Sequence, residues 1–218
     1  MNIILFGPPG AGKGTQADNI VKNFNLYKVS TGDLLREEIN KKTTLGEKIK
    51  SKIDKGFLVS DDLIENLIDQ VLSNKKFYNK LVFDGYPRNI NQASNLDILL
   101  KKYNQKISCV FSLEVDKDIV IKRILGRQTC GKCGLIFNQY FKPSTKENHS
   151  CGNKFLEKRS DDNEKIVLNR FQTYLDITLP IINYYKKLNI VHEINGKAEI
   201  YDIYKEISTI IASLETWL

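Results

Sequence analysis

An α/β protein, with a parallel five-stranded sheet, helices on both faces and two inserted subdomains, is predicted by three features of the chain. Five short apolar runs are rich in strand-forming residues, helical patterns separate them, and a glycine-rich turn follows the first run directly. The runs are "NIILF" (2–6), "YKVS" (27–30), "KLVFD" (80–84), "SCVFSLEV" (108–115) and "NIVHEI" (189–194). Each reads as a buried strand, and alternation of strand with helix is the pattern of parallel sheets covered on both faces.

The helical patterns fall at 15–24, at 32–40 behind a Ser30/Thr31 cap signal, and at 45–55, 61–72, 90–103 and 117–125. A longer pattern at 162–187 is broken or kinked near Pro180, which cannot donate to a helix ladder. The C-terminal stretch 198–217 carries Ile200, Ile203, Ile207, Ile210 and Ile211 on one side, a stripe that reads as core packing. Residues 31–60 form a helical insert ending in "KGFLVSDD", and residues 126–161 are cysteine-bearing and turn-rich. Neither fits the alternation, so both read as inserts in the sheet core.

The 218 residues, 41% hydrophobic and 27% charged, suit one sizeable core with inserts. No segment approaches the roughly 18 apolar residues of a membrane span, and the N-terminus lacks the pattern of a secretory signal, so the expectation is a cytoplasmic location and no membrane partner. A net charge of +7 is compatible with nucleic acid, a membrane surface or small anionic substrates as partner, so where the basic residues lie matters more than their number. The excess is mostly lysine: of 33 basic residues only Arg36, Arg88, Arg123, Arg127, Arg159 and Arg170 are arginines. In so lysine-rich a chain each arginine is a candidate for paired recognition of phosphate oxygens. Cys130, Cys133 and Cys151 cluster in one region, which points to metal before disulfide.

"GPPGAGKGTQ" (7–16) places strand, glycine turn and helix in the order that aims backbone N–H groups at phosphate, with Lys13 as a point charge. This is a P-loop NTPase-type arrangement. Gly14 stands where many such loops place a hydroxyl that holds Mg2+, so the metal must be held differently. Asp84, at the C-terminal end of a predicted strand, is the candidate carboxylate for that role, with capping of the following turn as the alternative.

The segments "GPPGAGKGTQ", "STGDLLR" (30–36), "GFLVSDD" (56–62), "DGYPRNINQA" (84–93), "RILGR" (123–127) and "RSDDN" (159–163) together resemble the adenylate kinase family in its long-lid form. The match runs in order from Met1 to about Tyr185, and the G-K-G-T loop is characteristic of nucleoside monophosphate kinases. The resemblance implies reversible transfer from MgATP to AMP, giving two ADP, with Mg2+ as cofactor. It divides the chain into a core (1–29, 60–125 and 162–218), an AMP-binding insert (30–59) and a lid (126–161), both inserts mobile. Gly10, Ala11, Gly12, Lys13, Gly14 and Thr15 match the family's ATP phosphate cradle, and Arg123, Arg127, Ile136, Phe137 and Lys197 the rest of the ATP side. Thr31, Arg36, Phe57, Leu58, Val59, Gly85, Arg88 and Gln92 match the AMP site, with Gln92 reading adenine. Arg159 and Arg170 match arginines that close over the transferring group. Lys13, Asp84, Arg88, Arg127, Arg159 and Arg170 are thereby the catalytic set, and all six arginines fall on nucleotide positions. Asp161 and Asp162 match a lid pair, with hinge residues, ion-pair partners and helix N-capping as alternative roles.

Long-lid relatives that hold metal carry a second ligand pair after the first C-x2-C. Here Cys130 and Cys133 supply the first pair and Cys151 the last place, which leaves the remaining place to Asn148 or His149. His149 is the better zinc ligand chemically. Such a zinc is structural. Cys109 and His192 read as structural side chains. The nearest competing reading is a kinase of the same fold with GTP as donor or UMP or CMP as acceptor; Thr31 and Gln92 favour AMP. A zinc-ribbon protein that binds nucleic acid requires clustered basic and aromatic residues, whereas the lysines here are dispersed, so no nucleic-acid partner is expected. A monomer is expected from the resemblance.

Overall fold

The computed structural model describes residues 1–55 and 57–215. Gly56 of "GFLVSDD" and the Trp217 end of the predicted C-terminal helix lie outside the described residues. In chain order, β1 (Asn2–Phe6) leads through α1 (Lys13–Phe24) to β2 (Tyr27–Ser30). Helices α2 (Thr31–Asn40) and α3 (Thr44–Ile53) form the first insert, and α4 (Asp61–Ser73) returns the chain to β3 (Leu81–Asp84). Helix α5 (Ile90–Lys102) leads to β4 (Ile107–Glu114), and α6 (Lys117–Leu125) opens the second insert. That insert contains β5 (Arg127–Cys130), β6 (Ile136–Asn138) and β7 (Leu156–Glu157); α7 (Glu164–Thr173), α8 (Ile181–Lys186), β8 (Val191–Asn195) and α9 (Ile200–Glu215) follow.

The predicted sheet is present: five strands in the order β2-β3-β1-β4-β8, every pairing parallel. Because both faces are covered, β1 is buried along its whole length, and an unbroken apolar run is what such a strand needs. Ile3 and Leu5 pack with Ile20 of α1 and Ile203, Ile207 and Ile211 of α9. Ile4 and Phe6 face the other way, into a cluster with Ile68 of α4, Leu96 of α5 and Tyr185 of α8. The second insert folds as a separate antiparallel sheet, β6-β5-β7.

The 162–187 pattern is interrupted near Pro180 as expected: a π-turn over Tyr174–Thr178, closed by Leu179 N–H to the Tyr174 carbonyl at 2.8 Å, precedes the proline, and α8 resumes at Ile181. Proline has no N–H for the carbonyl four residues back and its ring crowds it, so the ladder widens before the proline itself. Ile200 is not in the core: it begins α9 at 36% exposure, beside the cleft, while Ile203, Ile207 and Ile211 are buried as expected. Cys109 is fully buried in β4, and His192 of β8 lies against the Phe111 ring, 5.7 Å between centroids.

Register fixes where chemistry gathers. Leu5 of β1 and Ser30 of β2 both align with Asp84, so the loop after β1, the start of α2 and the Asp84 carboxylate meet at the C-terminal edge of the sheet. Among the described residues, no helix is long and apolar enough to cross a membrane.

Candidate active site

The loop between β1 and α1 is shaped by backbone conformation. Gly12 has φ +97° with open space where a side chain would stand, so glycine serves the left-handed turn there. At Gly14 the reason is space. A Cβ would lie 3.3 Å from Asp84 Oδ2, tighter than ordinary contact. The glycine in the usual hydroxyl position therefore admits a carboxylate from β3. Helix α1 starts at Lys13 with no side-chain cap and no acidic residue in its first turn, which leaves its N-terminal N–H groups for an anion. The Lys13 ammonium donates to the Gly7 and Pro8 carbonyls at 2.7 and 2.9 Å, held within the loop it serves.

The loop opens into a cleft of about 1070 Å³ lined by parts of both inserts. Lys13, Arg36, Arg88, Arg123, Arg127, Arg159 and Arg170 all line it. Their charges oppose one another. Burial lowers the Lys13 pKa to about 8; Asp84 offsets part of that, while Arg88, Arg170 and Arg127 add to it. Burial and then Arg170 lower Arg88 to about 10, and burial, Arg127 and Arg36 lower Arg159 to about 10. Arg170 is also held below its usual value, by burial first, with Asp161 opposing. A concentration of mutually repelling cations is what a polyphosphate relieves.

Carboxylates orient three of these arginines. Asp162 accepts Arg127 in a two-pronged bond, Nε to Oδ2 at 2.8 Å and Nη2 to Oδ1. Asp161 accepts Arg170 Nη1 at 2.6 Å, and Asp33 accepts Arg36 Nη2 at 2.5 Å. The two lid aspartates are thus ion-pair partners, and the cap of α7 is Asn163, whose Oδ1 accepts from Ile166 N–H. Arg88 donates Nε–H to the Gly85 carbonyl at 2.7 Å. Arg123 donates to the Gly196 carbonyl at 2.8 Å and lies 5.6 Å from the Phe141 ring, an aromatic on the cleft wall that the sequence reading did not include.

Gly10, Ala11, Thr15, Ile136, Phe137 and Lys197 line the cleft on the loop side, and Phe57, Leu58, Val59 and Gly85 line it on the first-insert side. Thr31 and Gln92 do not line it. Both are buried behind the wall, Thr31 donating to the Gly85 carbonyl at 2.8 Å. Gln92 accepts from Arg88 N–H through Oε1 and donates to Asp61 through Nε2, each at 2.7 Å. Asp61, inside the "GFLVSDD" segment but given no role there, and Thr178, whose hydroxyl donates to the Arg88 carbonyl at 2.8 Å, were assigned nothing from the sequence.

In the second insert, ligand atoms of Cys130, Cys133, His149 and Cys151 lie within 4.8 Å of one another. His149 is buried; Nδ1 meets the Ser144 hydroxyl at 2.9 Å, while Nε2 is buried without a protein partner. Asn148 is committed elsewhere, accepting from Thr145 N–H and donating to the Pro143 carbonyl. Of the two alternatives for the remaining place, His149 is therefore the side chain aimed at the cluster. Burial raises the Cys130 thiol, but N–H groups of Cys133 and Lys132 outweigh it and bring the pKa down to about 6. A Cys3His donor set fits a tetrahedral zinc ion.

The family model described as adenylate kinase matches residues 5–190 of the chain. An adenylate kinase of Pelagibacter ubique is 48% identical over 211 residues, covering 97% of this chain and 99% of that protein. Adenylate kinases of Clostridioides difficile and Archaeoglobus fulgidus are 41% and 38% identical, each over at least 98% of this chain. With that coverage on both sides, and with the loop, carboxylate and arginines of the cleft in place, the chain belongs to the adenylate kinase family.

Proposed function

We propose the following division of labour for the reversible transfer of a phosphoryl group from MgATP to AMP, which gives two ADP and which this chain performs as a member of its family. The observation that carries it is the convergence of Lys13 and six arginines on one cleft, with Asp84 against Gly14 at its floor. The N–H groups from Gly10 to Thr15 and Lys13 hold the ATP phosphates. Arg123, Ile136, Phe137 and Lys197 seat the rest of the donor. Arg36 and Arg88 hold the AMP phosphate, within a site walled by Phe57, Leu58, Val59 and Gly85. Thr31 and Gln92 back that wall, with Gln92 as the reader of adenine.

Transfer needs no covalent intermediate on the protein, because the transferring group carries its charge on oxygens that fixed cations neutralise. Arg127 and Arg170, oriented by Asp162 and Asp161, and Arg159 stand around that group. The Asp84 carboxylate would hold, through its waters, the Mg2+ that accompanies ATP, and that ion would supply charge neutralisation on the phosphates. The chain works as a core (1–29, 60–125, 162–218) with two clamps, 30–59 and 126–161, whose closure keeps water from accepting the phosphoryl group. Adenylate kinase lid closure is a standard example of such gating. One bond already joins the clamps, Ser160 donating to Asp54 at 3.3 Å, and Asn169 of α7, in the core, donates to the Lys55 carbonyl of the first clamp at 3.1 Å.

Zinc, held by Cys130, Cys133, Cys151 and His149, is a structural element of the second clamp. Because the Ser144 hydroxyl donates to Asn153 Oδ1, its oxygen is left to accept from His149 Nδ1–H, the tautomer that presents the Nε2 lone pair. The enzyme is taken to act as a cytoplasmic monomer on ATP, AMP and ADP, with no nucleic acid or membrane in the reaction, since every assigned role falls to one copy of the chain.

The direct test is ADP formation from MgATP with AMP, UMP, CMP or GMP, and from MgGTP with AMP. Strong activity confined to ATP plus AMP is expected; preference for another acceptor would overturn the role of Gln92. Lys13, with its pKa near 8, is cationic below that pH and progressively neutral above it. ATP affinity should therefore fall between pH 7.5 and 9.5, and calorimetric titration of Lys13→Gln should show a weaker but nearly pH-independent affinity. A steep dependence surviving in that variant would remove Lys13 as the titrating group. Elemental analysis should find about one zinc per chain. Cys130→Ser should lose the metal and lower the melting temperature with a smaller effect on turnover; a metal-free parent would refute the zinc assignment.

A further inference from the structure

The Gln92 carboxamide has two chemically opposite ends, and its surroundings allow only one orientation. Asp61 Oδ1 accepts from Nε2 at 2.7 Å, and Arg88 N–H donates to Oε1 at 2.7 Å. Turning the amide over would set its oxygen against a carboxylate, which can only accept, and its NH2 against a backbone N–H, which can only donate. Asp61 cannot swing aside freely. Asn89 Nδ2 donates to both of its oxygens, at 3.0 and 3.1 Å, while Asn89 Oδ1 caps α5 on Gln92 N–H at 2.8 Å. The whole assembly is tied to the first turn of α5, directly beside Arg88.

Each end of the carboxamide retains one further bonding capacity, a second N–H on Nε2 and a second lone pair on Oε1. Held this way round, the carboxamide keeps a donor beside an acceptor in fixed order, which a base meets once the wall in front of the buried Gln92 moves aside. A 6-amino purine presents the complement, an acceptor at N1 and a donor at N6. A 6-oxo purine presents the reverse, N1–H and O6, and meets donor with donor and acceptor with acceptor. We infer that Asp61, by fixing which way round the Gln92 carboxamide sits, sets this chain's preference for a 6-amino over a 6-oxo purine monophosphate as acceptor. Asp61 is a positioning residue: it acts through Gln92 and works by penalising the wrong base. The inference rests on the reading of Gln92 as the adenine reader.

IMP is the suitable probe, because it differs from AMP only in the donor and acceptor pattern at positions 1 and 6. The comparison is kcat/KM for AMP and for IMP, with MgATP as donor, in the parent, Asp61→Asn and Gln92→Leu. An asparagine at 61 can present either end of its own amide, so the Gln92 orientation is no longer enforced. Asp61→Asn should narrow the AMP-to-IMP ratio about tenfold or more, chiefly through gain on IMP, with a melting temperature near the parent's. Gln92→Leu should collapse the ratio mainly through loss on AMP. If Gln92→Leu collapses the ratio and Asp61→Asn leaves it unchanged, Asp61 does not orient the reader and the inference fails while the reader stands. If Gln92→Leu leaves the ratio unchanged, the reader assignment fails and the inference with it. Should Asp61→Asn not fold, Asp61→Ser, whose hydroxyl both donates and accepts, carries the same comparison.

Discussion

Repulsion among buried cations is the constraint that the remainder of the structure serves. Burial lowers the pKa values of Lys13, Arg88, Arg159 and Arg170, and neighbouring cations, Arg127 and Arg36 among them, lower them further. Left to itself such a set would spread into solvent. It is held by short bonds whose partners come from the backbone or from two consecutive acids, Asp161 and Asp162, rather than by neutralisation of every charge. Unspent positive potential is what an electrostatic catalyst of phosphoryl transfer needs, since it then does not reorganise when charge moves.

The fold supplies the rigidity for this. Strand β1 is central and wholly buried, and β3 beside it delivers Asp84 to the loop that β1 launches. Gly14 is the point of contact between the two, where absence of a side chain lets a carboxylate approach the phosphate loop. Arg88 is tied on three sides: its N–H to Gln92, its carbonyl to Thr178 in the π-turn, and its Nε–H to Gly85. The widened turn before Pro180 thus does more than absorb a helix-breaking residue, because it brings a hydroxyl from the helix that carries Arg170 onto the backbone of Arg88.

Much of this was legible in the chain. The five apolar runs marked all five strands of the main sheet: β1, β3 and β4 because a strand buried on both faces has little choice but to be apolar, and the edge strands β2 and β8 although only part of each is buried. Scarcity of arginine marked the cleft, since six of six arginines line it. What escaped the sequence were pairings that depend on distance in space. Asp61 reaches Gln92 across 31 positions and Thr178 reaches Arg88 across 90, and neither residue type is unusual in its own neighbourhood. The choice between Asn148 and His149 likewise needed coordinates: both are polar turn residues, and only the orphaned Nε2 separates them.

The most direct measurement is made on Arg88→Met, comparing thermal stability without nucleotide against turnover with MgATP and AMP. Methionine keeps much of the buried stem and removes the charge. A cleft strained for function should give a melting temperature equal to or above the parent's, because repulsion is relieved, together with a loss of turnover of about 10²-fold or more. A variant that melts several degrees lower while turning over near the parental rate would contradict this, and would make Arg88 a structural residue.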